Sequence, residues 1–86
     1  MSRPRTPEVA KAFGQVLRTL RKGAGLTQEQ LAEAADLDRT YPSLLERGLR
    51  EPGLSTVLRL GEALRMSPAL LLQMTITRLK RLQSLR

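Results

Sequence analysis

The stretch LTQEQLAEAADLDRTYPSLLERG, residues 26–48, limits the fold more tightly than any other part of the chain, because it carries two helix starts and two helix stops in quick succession. Thr27-Gln28-Glu29-Gln30 is a capping box: the Thr27 hydroxyl can accept the Gln30 amide while the Gln30 side chain reaches back to the Thr27 amide. Leu26 and Leu31 flank it as a hydrophobic staple. The helix so begun runs to about Ala35, where Asp36 is placed to take the left-handed conformation of a tight turn, at higher cost than Gly. A second short helix follows from about Asp38 to Arg47 and ends at Gly48. Pro42 lies inside it. A Pro in the first turn loses little, since the first helical amides have no intrahelical partner, whereas one deeper in costs about 3 kcal/mol. Counted from Asp38 as cap, Pro42 forfeits the first bond; counted from Thr40 or Tyr41 it forfeits none. The residue therefore predicts a late or loosened helix start, or is simply tolerated there.

Three further helices follow from caps and periodicity. Val9, Phe13, Val16, Leu17 and Leu20 recur at helical spacing, with Thr6 as cap, Pro7 at the first helical position, and Gly23 and Gly25 as terminators. After a loop holding Pro52 and Gly53, Ser55 is the expected cap of a helix with Val57, Leu60 and Leu64 on one face; Gly61 inside it suggests that another helix backbone passes close by. Ser67-Pro68 opens the fifth. Its apolar residues Leu71, Leu72, Met74, Ile76, Leu79, Leu82 and Leu85 wrap too broadly to be satisfied by one small core. No strand pattern, repeat or low-complexity tract appears. The expected fold class is all-α: a compact five-helix domain with an extended C-terminal helix. It divides into a basic N-terminal arm (1–6), a helix-turn-helix body (7–67) and a C-terminal helix (68–86). A chain of 86 residues buries only about 60% of the surface its unfolded form exposes, so a dimer would help it.

Composition narrows the chemistry. There is no Cys and no His, which removes thiolate metal sites, disulfides and the commonest general base. Glu29 and Glu33, one turn apart, could pair for metal or acid–base work, but with no third ligand in view they read as a solvated face. The expectation is therefore no enzyme, no catalytic residue, no metal and no cofactor. The N-terminus leads into an amphipathic pattern without an apolar signal core, and the apolar run from Ala69 to Met74 is too short to span a bilayer, so the chain is expected to be soluble and cytoplasmic. Net charge is +7, which favours a polyanionic partner. The two ends are basic. The middle is not: from Thr27 to Glu51, the carboxylates of Glu29, Glu33, Asp36, Asp38, Glu46 and Glu51 outnumber Arg39, Arg47 and Arg50.

Two short helices joined by a tight turn form the helix-turn-helix unit, whose second helix enters the major groove of DNA. GLTQEQLAEAADLDRTYPSLLERGLREP resembles the lambda-repressor/Cro-like (XRE-type) helix-turn-helix family, and its LDRTY and ERGLR pieces look most like restriction-modification controller proteins. The resemblance covers roughly Phe13 to Pro68. It implies that Gln28 grips a phosphate and braces the reading helix, with Thr27 beside it. It places Arg39, Thr40, Ser43 and Leu44 at base edges, Arg39 suited to the two acceptors of guanine and Leu44 to a thymine methyl. Tyr41 falls on the phosphate side, and Arg47 and Arg50 in a loop that follows the backbone. Glu46 matches a position that pairs internally with an Arg of the first helix, here Arg21, which partly accounts for the acidic middle. Three departures stand out: Asp36 in place of Gly, Pro42 in place of Ile or Val, and Leu49 and Glu51 in a loop that is commonly basic.

The expected function is sequence-specific binding of double-stranded DNA by a transcriptional regulator, as a homodimer on a palindromic operator. The fourth and fifth helices would carry the dimer interface, with Leu71, Leu72, Ile76, Leu79 and Leu82 as the unsatisfied apolar surface. The alternative is a protein-interaction module on the same fold, an antitoxin or adaptor whose partner is a protein such as a toxin or RNA polymerase. A membrane-surface role for Leu70 to Arg86 is a third reading, though no membrane is expected. Phe13 and Tyr41 are the only aromatic residues, too few for single-strand binding by base stacking.

Overall fold

The computed structural model describes residues 6–85. Five helices follow one another: α1 (Thr6–Gly23), α2 (Gln28–Ala34), α3 (Tyr41–Glu46), α4 (Leu54–Ala63) and α5 (Pro68–Ser84). There is no strand among the described residues. The basic arm with Arg3 and Arg5 lies outside them, as do Arg86 and the Thr6 side chain expected to cap α1.

The core gathers residues from all five helices, with α1 packed chiefly on α5 and α3. Phe13, Val16 and Leu17 of α1 close on Leu31, Leu45, Leu60 and Leu71, one from each of the remaining helices. Burying each of these leucines contributes about 1.5–3 kcal/mol. Leu71 is 0% exposed and is thus a core residue, not a dimer-interface residue as the broad apolar pattern suggested. Helical periodicity places Leu71 on the inner face of α5 with Thr75, whose hydroxyl donates to the Leu71 carbonyl at 2.9 Å.

The capping box forms as its residues require: Gln30 N–H donates to Thr27 Oγ1 at 3.0 Å and Thr27 N–H to Gln30 Oε1 at 2.9 Å. At the other end of α2, Asp36 takes φ 54° and the Leu37 amide bonds back to the Ala32 carbonyl at 2.8 Å, a Schellman closure without Gly. The same closure ends α4, where Arg65 takes φ 55° and the Met66 amide reaches Gly61 O at 2.9 Å.

Helix α3 begins late. Thr40 is its N-cap and Pro42 its second residue, so no ladder bond is lost, and the ring is fully buried in the core. Asp38, expected as a cap, instead closes a turn: its Oδ2 accepts from Thr40 N–H at 3.1 Å and from Thr40 Oγ1 at 2.5 Å, and its carbonyl accepts from Tyr41 N–H at 3.0 Å. Two other boundaries differ from expectation. Helix α4 starts after Gly53, with no side-chain cap, so Ser55 lies inside it. The close neighbour of Gly61 is the returning α4–α5 turn, since a Cβ there would sit 2.8 Å from the Pro68 ring and 3.1 Å from Met66 O. A close helix–helix approach lies at Gly14, where a Cβ would collide with the carbonyl oxygens of Leu45 and Glu46. Loss of a side chain at this one α1 position lets α3 lie directly against it.

Candidate nucleic-acid interface

Glu46, at the end of α3, ties three helices together. Its Oε2 accepts from Arg21 Nε at 2.6 Å, and its Oε1 from Arg21 Nη2 and from Gln28 Nε2, both at 3.1 Å. Arg21 also donates from Nη1 to the Leu26 carbonyl at 2.7 Å, which anchors the end of the α1–α2 loop beside the α2 cap. The two ionic side chains are 11% and 4% exposed, so this is a buried bidentate pair, not a surface one. The Glu46 hydrogen bond raises the Arg21 pKa above its ordinary value. The effect is geometric: the first residue of α2 and the last of α3 are held by one carboxylate, which sets the angle between the two helices.

Above this brace lies an open hollow of about 420 Å³ lined by Gln28, Glu29, Arg39, Thr40, Ser43, Leu44 and Arg47. Arg39, Thr40, Ser43 and Leu44 therefore share one concave surface with Gln28. The Arg39 side chain is 78% exposed, and its Nη2 lies 3.6 Å from Glu29 Oε1, a pair worth about 0–1 kcal/mol in solvent. The Thr40 hydroxyl is engaged as a donor to Asp38, which leaves it an acceptor toward a ligand. That same hydroxyl, with the Thr40 amide, holds the Asp38 carboxyl below the usual carboxylate range.

Three residues sit differently from the sequence reading. Arg47 is the C-cap of α3, not a loop residue; it lines the hollow, with Nε toward Ser43 O at 3.4 Å. Arg50 is exposed in the following loop, outside the lining. Tyr41 is half-buried, with its ring packed against the core. Thr27 has both its amide and its hydroxyl in the capping box, though the hydroxyl proton is not used there. Glu29 is the residue that sequence reasoning missed. Periodicity marked it as solvent-facing, which it is, but only the packing of α2 against α3 turns that solvent face into a wall of the hollow.

The helix-turn-helix domain family matches residues 12–74 of the chain. The control protein C.BamHI of Bacillus amyloliquefaciens is 38% identical over 71 residues, which cover 81% of this chain and 88% of that protein. The crystal structure of the restriction-modification controller protein C.AhdI from Aeromonas hydrophila superposes with a TM-score of 0.70 at 45% identity, covering 72% of this chain and 94% of that one. The clp gene regulator ClgR from Corynebacterium glutamicum superposes with a TM-score of 0.82 at 30% identity, covering 88% and 81%. The brace, the hollow and these relatives agree: the chain belongs to the helix-turn-helix family of DNA-binding transcriptional regulators, a family of regulators and not of enzymes.

Proposed function

We propose that the protein regulates transcription as a homodimer that reads a palindromic operator, with α3 of each protomer in the major groove. The observation that carries this is the hollow between α2 and α3, which gathers Arg39, Thr40, Ser43 and Leu44 on one exposed surface over a rigid brace. In this reading Arg39 takes guanine through its fork, Thr40 and Ser43 contribute adaptable hydrogen bonds, and Leu44 meets a thymine methyl. Gln28, Thr27, Tyr41 and Arg50 contact phosphates and set register, joined by Arg47 from the edge of the hollow. Glu29 holds Arg39 loosely until guanine replaces it. The net charge of +7 supplies the salt-dependent attraction.

A dimer is supported by surface that the single chain leaves open. Leu72 and Ile76 are 42% and 46% exposed, one helical turn apart on α5, and Leu79 continues their face as a half-buried residue. Leu82, also half-buried, falls nearer the inner face. On α4, Leu54 and Leu58 are exposed one turn apart. A dyad through these helices would set two reading helices about 34 Å apart, one turn of DNA. Among the described residues no helix is long and apolar enough to cross a membrane, and the proposed site of action is the cytoplasm.

The test is selection of bound duplexes from a random library, followed by light scattering with and without the selected site. A two-fold symmetric consensus bound by two chains is expected. A single asymmetric half-site bound equally well by a monomer would overturn the reading.

A further inference from the structure

The α1/α5 side of the molecule carries a second concave surface that the reading of DNA does not use. It is a groove of about 240 Å³ lined by Val16 and Thr19 of α1 and by Gln73, Met74, Thr77, Arg78 and Arg81 of α5. It lies across α1 from α3: Gly14 faces the recognition helix, whereas Gln15, next to it in sequence, and Thr19, one turn further on, turn toward α5. It is also separate from the face of Leu72 and Ile76, because Met74, Thr77 and Arg81 fall on another side of α5 at helical spacing.

The chemistry of the lining is uneven. Thr19 and Thr77 donate their hydroxyls to the carbonyls of Gln15 and Gln73, each at 3.1 Å, so neither offers its hydroxyl proton to the groove. Val16 and Met74 form an apolar floor, and Met is adaptable in shape. Charge is concentrated at the end opposite the neutral Gln73 carboxamide. There Arg78 is held by the Gln15 side chain, Nη1 to Oε1 at 2.8 Å, and Arg81 lies three residues on, a neighbour on the same helix face. Among the described residues, the ion pairs are made by Arg21 and Arg39, not by these two. A guanidinium fixed by a neutral amide beside a second one, at the mouth of an apolar trough, is complementary to an anion with an aliphatic tail.

We propose that this groove binds a free amphipathic carboxylate, an unbranched aliphatic acid whose head group meets Arg78 and Arg81 and whose tail lies along Met74 and Val16. The span from Gln73 to Arg81 is about 12 Å by helical rise, which suits a tail of about eight to ten carbons. Charge complementarity, with both cations at one end of the groove, selects this occupant over a neutral apolar ligand.

Decanoate is the probe, added to the full-length protein labelled at the methionine methyl groups. Met74 is in the groove while Met66 sits at the α4–α5 turn, so a saturable shift of Met74 without one of Met66, at one decanoate per chain, is expected. Arg78→Gln with Arg81→Gln should weaken binding by about tenfold or more, the loss of charge-assisted hydrogen bonds. Thr77→Trp, which fills the groove from an exposed position, should abolish binding with both arginines in place. It also keeps the test decisive if the double variant folds poorly. Decanol or decyltrimethylammonium binding as tightly as decanoate would overturn the proposal. So would unsaturable shifts of both methionines, or binding to phosphatidylglycerol vesicles in the absence of any response to monomeric decanoate.

Discussion

Replacing Glu46 by Ala removes three hydrogen bonds from the centre of the helix-turn-helix and leaves the Arg21 guanidinium, 11% exposed, with only the Leu26 carbonyl to bond. Breaking a buried ion pair from one side costs about 3–5 kcal/mol, chiefly because the surviving charge is left uncompensated. The lower end applies here, since Leu26 O remains and Arg21 keeps some contact with solvent. Against a total stability of about 5–15 kcal/mol, a loss of about 3 kcal/mol is large, and for a domain of this size it corresponds to roughly 12–24 °C in Tm. The assay is thermal unfolding followed by circular dichroism, with a double-mutant cycle built from Arg21→Met and Glu46→Leu, singly and together. If the penalty is that of an orphaned charge, Arg21→Met with Glu46→Leu should be less destabilised than either single charge-removing variant. A Glu46→Ala protein melting within about 3 °C of the parent, a loss of less than about 1 kcal/mol, would refute the reasoning. So would additive effects in the cycle, since the carboxylate would then not be coupled to Arg21.

Other perturbations separate reading from gripping and packing from capping. Arg39→Ala should cost about 1–3 kcal/mol on the selected operator and relax preference at one base pair, while Arg50→Ala should weaken all duplexes alike and lower the salt slope by about one; titrations at several salt concentrations distinguish them. Leu72→Glu with Ile76→Glu should yield monomers by light scattering with helical content retained, whereas truncation after Gln73 would also remove Thr75 and Met74, which pack inside, and so confound folding with dimerisation. Gly14→Ala gains about 1 kcal/mol of helix propensity but forces a Cβ onto two carbonyl oxygens, an overpacking cost of about 1–3 kcal/mol, so chemical denaturation should show net destabilisation. The Asp38 carboxyl is lowered by its Thr40 bonds, so its contribution is present above the ordinary carboxylate pKa and is lost as pH falls through the folded value; Asp38→Asn should narrow its stability gap to the parent as the solution is acidified.

Features that depend on neighbours a few residues apart were legible in the chain itself. The Thr27–Gln30 capping box, the left-handed turn at Asp36, the burial of Phe13, Leu17 and Leu60 and the late start of α3 at Pro42 all follow from local hydrogen bonding, backbone sterics and helical period. The meeting of Arg21 with Glu46 spans 25 positions and was anticipated only through family resemblance, because no local rule pairs residues that far apart. What the tertiary structure alone decided concerns which face meets which helix. Leu71 and Leu72 are chemically identical neighbours, yet one completes the core and the other faces outward, since α5 has a single side against α1. Gly14 looks like a defect in an amphipathic helix until α3 is laid on it. Glu29 reads as a solvated charge and Arg47 as a loop residue that follows the DNA backbone, and both became walls of the hollow only when the Glu46 brace fixed the angle between α2 and α3. Periodicity sets the phase of a helix, but the partner for each face is chosen by packing, and the chemistry of this protein lies where two such faces meet.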